Sequence, residues 1–294
     1  MSGGLFLQSL ILGVLLGGLY ALMAAGLTLY FGVMRVVMIA HAAFLVLAGY
    51  LAWFFTTRTG LDPILSLAVT VPAFFVLGVG IRRLLITRLK PATMTMMSVL
   101  LTFALALVIE GLLGFTFTGV QRRIRTGYSS ANFEIFGAQV AVVKLIAFVL
   151  AVVALGSLWF VLKKTSLGQA LRATIQHREA AELVGIDTDK VAGYGFGIGL
   201  ATAAVGGTAL ALDATIYPSL HWHWIGPMMA IIVVGGLGSI PGAAMAAMAL
   251  GIIHAFLQVP LGATWAQTVF YVALFGTLMV RPQGFFGGRL AQRF

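Results

Sequence analysis

Uninterrupted apolar runs decide what this chain can become. From Leu5 to Phe31 it carries no formal charge. A helix needs about 20 predominantly apolar residues to cross a hydrocarbon core of about 30 Å, so this run alone suffices for one crossing. The rest repeats the pattern: of 294 residues 61% are hydrophobic and 9% charged, and the mean hydropathy is +1.05. Soluble domains average roughly 45–50% apolar and about 25% charged residues. A soluble globular domain is excluded. Within lipid every backbone polar group must be satisfied by the protein itself, which leaves helices and closed barrels. A barrel would show alternating segments of about 10 residues, whereas these runs are continuous. The expected fold is all-α, a polytopic membrane helical bundle.

Spans are expected at 5–31, 39–56, 64–81 (with Pro72), 94–114 (with Glu110), 140–162 (with Lys144), 191–212, 242–258 and 263–280. The stretch 226–238 is apolar but short. This amounts to about eight transmembrane helices plus a short broken or half-span segment near 226–241. The loops are too short for a soluble catalytic domain, so 1–294 reads as a single transmembrane domain. The N-terminus lacks the basic n-region of a signal peptide, and its apolar stretch is longer than an h-region, which makes it a retained first helix.

The formal charge is +10, from 18 Lys+Arg against 8 Asp+Glu. In an apolar chain this points to positive cytoplasmic loops rather than to nucleic acid. Arg82, Arg83, Arg88 and Lys90, together with Arg281, Arg289 and Arg293 of the tail, belong inside by that rule. Placing 163–190 inside as well makes 115–139 external despite Arg122, Arg123 and Arg125. Alternation then puts the N-terminus outside and Arg35 inside, and an internal tail requires 226–238 to cross as a real but short span. Cysteine is absent, which excludes disulfides, thiolate metal sites and a cysteine nucleophile.

The only sizeable polar stretch between spans is 163–193, KKTSLGQALRATIQHREAAELVGIDTDKVAG. It reads as one helix from Leu167 to Val184 with capping-box spacing at Ser166 and Gln169. Leu167, Ala170, Leu171, Thr174 and Ala181 fall along one side. Gly185 can end it in a left-handed cap, and Asp187 can cap the next helix. Clamped between two spans, such a segment suits the transmission of force from a soluble partner; a helix lying passively on lipid is the alternative.

Glycine density marks two further places. The 191–212 span holds Gly193, Gly195, Gly197, Gly199, Gly206 and Gly207, which permit close backbone approach or unwinding. GGLGSIPGA, residues 235–243, cannot remain regular helix because Pro241 lacks a donor and the glycines favour unwinding. Gly235, Gly236, Gly238, Ser239 and Pro241 are therefore gate or pathway candidates, with an ordinary turn between spans as the alternative. Among intramembrane ionisable residues Glu110, Lys144, Asp213, His41 and His254 stand out. Between 191 and 280 the only formal charge is Asp213, and this scarcity argues mildly against a proton-coupled transporter, which usually shows a denser carboxylate or histidine relay. The HWHW run, His221 to Trp224, reads as an aromatic anchor at the external surface, and a metal site there is a distant second. No GxxxxGK[ST], GxSxG or HExxH occurs, so the chain has no means of hydrolysing ATP alone.

Four segments carry a resemblance: GGLYALMAAGLTLYFGVMRVVMIAHAAF (17–44), REAAELVGI (178–186), GGLGSIPGA and RPQGFFG (281–287). Together they resemble the inner-membrane permease subunits of branched-chain amino acid ABC importers, the hydrophobic amino acid uptake family. The likeness covers nearly the whole chain. It implies a permease in the bacterial cytoplasmic membrane that binds no cofactor itself, with ATP and Mg used by two partner ATPases. It further implies a second permease subunit, commonly a paralogue, and an external solute-binding protein. Glu179, Ala180, Ala181 and Gly185 match the EAA-x-x-x-G loop, which gives 165–190, including Leu171 and Arg172, a coupling role toward the ATPases. The turn at Arg35, Met38 and His41 matches a family segment near the solute pathway. Where the family commonly has Asn-Phe-Ala-His-Gly, this chain has Met38-Ile39-Ala40-His41-Ala42, so a more apolar solute is an expectation. The competing reading is a self-contained channel or ion-coupled carrier using Glu110, Lys144 or Asp213.

Overall fold

The computed structural model describes residues 3–34, 36–89, 94–135 and 138–287. In chain order these form α1 (Gly3–Met34), α2 (Ala40–Thr59), α3 (Pro63–Leu84), α4 (Met94–Phe117), the strands β1 (Asn132–Ile135) and β2 (Ala138–Ala141), α5 (Val142–Lys164), α6 (Ser166–Gln176), α7 (Arg178–Leu183), α8 (Thr188–Asp213), α9 (His221–Gly235), α10 (Ile240–Ala266) and α11 (Thr268–Val280). Among the described residues seven helices, α1 to α5, α8 and α10, are long and apolar enough to cross a membrane, and α9 and α11 are shorter apolar helices.

All nine apolar segments are thus helical, but the expected eight full crossings become seven long helices and two short ones. The difference lies at the end of α10. Pro260 lacks an N–H, and Gly262 leaves helical geometry at φ 78°, ψ 166°. The chain turns there, so the segment expected as 263–280 starts as a separate helix only at Thr268 and runs 13 residues. Other ends follow local chemistry. Asp62 caps α3 by accepting from the Ile64 N–H at 2.8 Å, with Pro63 in the first turn.

The centre of the bundle is α1, α2 and α8. In α8, 83% of the most apolar window is buried, against 17% in α5. Burial on all sides explains its glycines: a Cβ at Gly197 would lie 2.8 Å from the Phe75 carbonyl, and one at Gly207 would collide with the Leu45 carbonyl. Small residues let helix backbones approach where lipid supplies no hydrophobic drive for association. Of the two behaviours expected for this span, close approach is realised, and α8 stays regular. α1 and α10 cross in the same manner at Gly17 and Gly251.

The helix ends sort into two poles. At one pole the end of α1 meets the α9–α10 turn through Gly32 and Gly238, Leu171 of α6 packs beside Gly195 near the start of α8, and the Phe285 N–H donates to the Val234 carbonyl at 2.9 Å. At the other, Lys144 donates to both carboxylate oxygens of Asp213 at 2.8 Å. There Arg122 and Ile216 exchange backbone hydrogen bonds at 2.8 Å. β1 and β2 form an antiparallel hairpin at this second pole, pairing Asn132 with Ala141. The Tyr128 phenol, pushed up to about 12 by burial and then by its hydrogen bond to Asp62, ties the loop to the start of α3 at 2.9 Å.

Candidate functional site

The polar stretch folds as two helices rather than one. α6 is capped by Thr165, whose hydroxyl accepts from the Gly168 N–H at 3.1 Å, so Thr165 takes the place expected of Ser166. His177 then leaves helical geometry, and its Nδ1 accepts from the Ala180 N–H at 3.3 Å to start α7. The break comes where a ring nitrogen offers the backbone an alternative partner. Gly185 closes α7 at φ 83°, with its N–H donating to the Glu182 carbonyl and that of Ile186 to the Ala181 carbonyl, both at 3.0 Å. Asp187 caps α8 by accepting from the Lys190 N–H at 3.0 Å. The Lys190 ammonium and that N–H hold the Asp187 carboxyl below the usual carboxylate range.

The six coupling candidates divide by face. Leu171 and Ala181 are buried, Leu171 against α8 beside Gly195. Arg172, Glu179, Ala180 and Gly185 are exposed. Arg172 donates to the Leu162 carbonyl and so braces the corner between α5 and α6. Leu183 and Val184 stand out at 88% and 76% exposure, an apolar tip beside Glu179. The two inward residues anchor the segment, and the outward ones form its free surface.

Beneath this tip lies a cluster of charges that sequence reasoning did not single out. Asp189 Oδ1 accepts from Arg82 Nη2 and from Arg178 Nη2, each at 3.1 Å. Glu182 Oε1 accepts from Thr188 at 2.6 Å and from Arg178 Nε at 3.1 Å. Those two bonds, Thr188 first, hold the Glu182 carboxyl below its ordinary range. Arg82 is 3% exposed, donates to Met34 Sδ at 3.2 Å, and bonds Thr87. One acidic side chain in the first turn of α8 therefore joins α7, α3 and, through Arg82, the end of α1. The signal available in the sequence was Asp189 itself, an acidic residue at a helix start opposite a basic helix end.

The second candidate region is the turn before α2. Arg35 lies outside the described residues, as do Lys90, Arg289 and Arg293. Val36, Met38, Ala40 and His41 are buried, Met38 and His41 completely. The turn is irregular backbone inside the protein: His41 Nε2 donates to the Met23 carbonyl at 3.0 Å, about three helical turns before α1 ends. Thr102 of α4 satisfies the turn's free groups, its hydroxyl donating to the Val37 carbonyl and accepting from the Ile39 N–H, both at 3.2 Å. Gly26 provides the room, because a Cβ there would lie 2.5 Å from His41 Cε1 and from the Gly199 carbonyl. Met38 is thus placed as a packed core residue. Thr102 was missed; its signal was a pair of hydroxyls, Ser98 and Thr102, one turn apart on an apolar helix.

The third region is the α9–α10 turn. Gly236 and Gly238 take φ 97° and 84°, which L side chains rarely adopt. Ser239 caps α10 by accepting from the Gly242 N–H at 3.2 Å, and Pro241 occupies the first turn. Gly235 and Gly236 are buried, and a Cβ on Gly236 would collide with the Gly287 backbone. The glycine turn and the RPQGFFG segment, far apart in sequence, therefore pack against each other, and the turn meets Gly32 of α1 through Gly238.

Of the remaining ionisable candidates three are paired, while His254 Nδ1 is buried without a hydrogen-bond partner. Lys144 and Asp213 bind one another. Glu110 Oε2 accepts from Trp222 Nε1 at 3.0 Å and lies 3.7 Å from His221 Nε2. The HWHW run is accordingly not a simple surface anchor: His221 is fully buried, and Trp222 ties α9 to α4. Within a bundle, an indole N–H beside a carboxylate finds a stronger partner than interfacial water.

Against known proteins, the family model described as "Branched-chain amino acid transport system / permease component" matches residues 9–280. The chain is 26% identical to the high-affinity branched-chain amino acid transport system permease protein BraD of Pseudomonas aeruginosa, covering 96% of each chain. It is 25% identical to the corresponding permease protein LivH of Escherichia coli strain K12, again over 96% of each. A probable branched-chain amino acid transport permease protein LivH of Methanocaldococcus jannaschii is 26% identical over 93% of this chain and 90% of that one. No solved structure matches.

Proposed function

The chain belongs to the branched-chain amino acid transport system permease family, a family of transport proteins, and on that premise we propose that it is the membrane-spanning pathway subunit of an ATP-driven importer. It pairs with a second permease, commonly a paralogue, and works with two ATPase subunits and an external solute-binding protein. The solute is a branched-chain or other hydrophobic amino acid, or a related small organic molecule. ATP and Mg belong to the ATPases. The whole chain acts as one membrane domain of the bacterial cytoplasmic membrane. The α6–α7 pole faces the cytoplasm, and the charge bias supports this: it carries Arg82, Arg83, Arg88, Lys163, Lys164, Arg172, Arg178, Lys190 and Arg281, against Arg58, Arg122, Arg123, Arg125 and Lys144 at the other.

The observation that carries the reading is α7. Six residues long, delimited by His177 and Gly185, it exposes Glu179, Ala180, Leu183 and Val184 and is tied to α3 and α8 through Asp189. A docked ATPase that moves this tip pulls on a buried guanidinium inside the bundle. The far end of that movement is the glycine turn, where α1, α9, α10 and the RPQGFFG segment meet and a backbone change opens or closes the path. Gly185→Trp adds bulk at the tip in a conformation that disfavours side chains, and a combined Arg172→Ala, Glu179→Ala variant strips its polar surface. Both should lower co-purification of the ATPases while membrane insertion stays normal. Unchanged co-purification together with wild-type ATP-dependent uptake in both variants overturns the reading.

A further inference from the structure

α4 meets the bundle on one side. Ser98, Thr102, Ala106, Ile109 and Leu113 are its buried residues, and it packs chiefly against α2. Beside that buried strip runs a second line, Phe103, Leu107 and Glu110, whose i, i+4, i+7 spacing keeps it on one side of the helix. Phe103 and Leu107 are exposed, and the Glu110 side chain keeps 27% of its surface. The first turn of α9 borders this line. Trp222, itself exposed, donates to Glu110 Oε2 at 3.0 Å, and its ring lies 5.6 Å from that of Phe103. His221 Nε2 approaches the same oxygen at 3.7 Å. Glu110 Oε1 has no hydrogen-bond partner among the described residues.

This carboxylate lies at membrane depth. α4 has 24 residues, about 36 Å of helix against a hydrocarbon core of about 30 Å, and Glu110 stands about 10 Å before its Phe117 end. α9 agrees: its 15 residues cover about 22 Å, too little to cross, and its first turn begins beside Glu110. Ionisable groups at such depth face the bundle interior or a water-filled cavity rather than acyl chains. A free glutamate near a helix end could reach up to the interface, but Trp222 holds this one in place. Lys144 and Asp213 at the same pole satisfy one another and need no water; the open oxygen of Glu110 does. We propose that the Phe103, Leu107 and Glu110 side of α4, together with Trp222, lines a water-filled solute path, and that Glu110 is its charge filter, passing neutral and cation-bearing solutes in preference to anions. A single carboxylate between low-dielectric walls acts over the whole width of such a path. Resting on the importer reading, the facing wall belongs to the second permease. Val108, Leu112 and Phe115, round the helix from this line, face lipid.

The chain contains no cysteine, so an introduced thiol reports on its own position. Leu107 and Val108 lie at nearly one depth, about 100° apart round the helix, and the chain by itself exposes them alike, at 46% and 56%. Only the assembled membrane complex distinguishes them. In right-side-out vesicles holding the full complex, Leu107→Cys should react with membrane-impermeant methanethiosulfonates in at least one nucleotide condition, with or without ATP, and Val108→Cys in neither. With each reagent's rate referred to its rate with a small free thiol, the cationic trimethylammonium reagent should outpace the anionic sulfonate about fivefold at Leu107→Cys at low salt. Glu110→Gln keeps an acceptor for Trp222, and in the Leu107→Cys background it should bring that ratio to about one. Equal labelling of the two cysteines, no labelling of Leu107→Cys, or a ratio that Glu110→Gln leaves unchanged overturns the proposal. The expected labelling pattern in vesicles whose uptake proceeds without ATP overturns the importer reading instead and leaves the water-lined face standing.

Discussion

The α7 tip and the turn before α2 both interrupt a helical chain, and they are held by opposite means. At the tip the backbone ends are capped by His177, Gly185 and Asp187, the side chains are exposed, and the ties are ion pairs centred on Asp189. In the turn Val36 and Met38 are enclosed, and Thr102 gives the Val37 carbonyl and the Ile39 N–H a partner within the protein. Apart from the buried Arg82, whose separation from Asp189 would strand a charge, the charged ties of the tip lie at a wet surface and can be broken and remade at small cost. Buried hydrogen bonds and glycine contacts cannot, because their loss leaves unpaired groups or overlapping atoms. The outer ties of the tip are therefore the weaker ones, and the turn is the more firmly fixed, holding α1, α2 and α4 together.

The largest effect that could break this comparison comes from Gly26→Val. Its Cβ would meet the Gly199 carbonyl and His41 at 2.5 Å, both inside packed helices, whereas a Cβ at Gly185 meets nothing within 4 Å. Gly26→Val should cost about 3 kcal/mol or more and leave little folded protein. Gly185→Ala should cost only about 1–2 kcal/mol, the penalty of a left-handed residue. Thermal unfolding of purified protein checks both; equal losses would erase the distinction between a packed turn and a free tip.

Thr102→Val sharpens the comparison at intermediate size. The shape is conserved, but the Val37 carbonyl and Ile39 N–H lose their partner in a water-poor interior, so stability should fall by about 1–3 kcal/mol. Ser98→Ala, one turn away, removes a hydroxyl that bonds only the Thr95 carbonyl of its own helix and should fall by less. A Thr102→Val protein as stable as Ser98→Ala would mean that the turn finds other partners.

How much of this was legible follows the same division. The spans, the glycine cap at Gly185 and the Asp187 cap could be read because each depends on neighbours in sequence: a run of apolar residues, a residue that tolerates positive φ, a carboxylate three positions before the N–H it accepts. The break at His177 was hidden because the apolar spacing from Leu167 to Val184 continues across it, and a ring nitrogen decided the outcome. The short final helix was hidden because Pro260 and Gly262 sit inside a run whose hydropathy alone permits a longer span. Thr102, the Arg82–Asp189 contact and the Trp222–Glu110 bond join residues 63 to 112 positions apart, so no local pattern announces them. The candidate site divides likewise: Glu179, Ala180 and Gly185 were placed on the surface by local motif, while the burial of Met38 and Leu171 depended on helices that only the fold brings together.

The smallest expected effect is a response to acid confined to the tip. Glu182 is held below its ordinary range by the Thr188 hydroxyl and by Arg178, next to Asp189. A carboxyl depressed in the folded protein binds protons less readily there than when unfolded, so its contribution is complete above the unfolded value, about 4.3, and is lost as pH falls through the folded one. Hydrogen exchange of the 178–188 backbone, corrected for intrinsic rates, should be constant from pH 7 to 5 and rise below about pH 4. In Glu182→Gln the carboxylate is absent, so the faster exchange should be present at pH 7 and that acid step should disappear. The buried middle of α8 supplies the control, because residues 199–211 carry no ionisable side chain. They should keep their protection over the same interval; loosening of both regions together would show that acid acts on the whole bundle and not on the tie between α7 and α8.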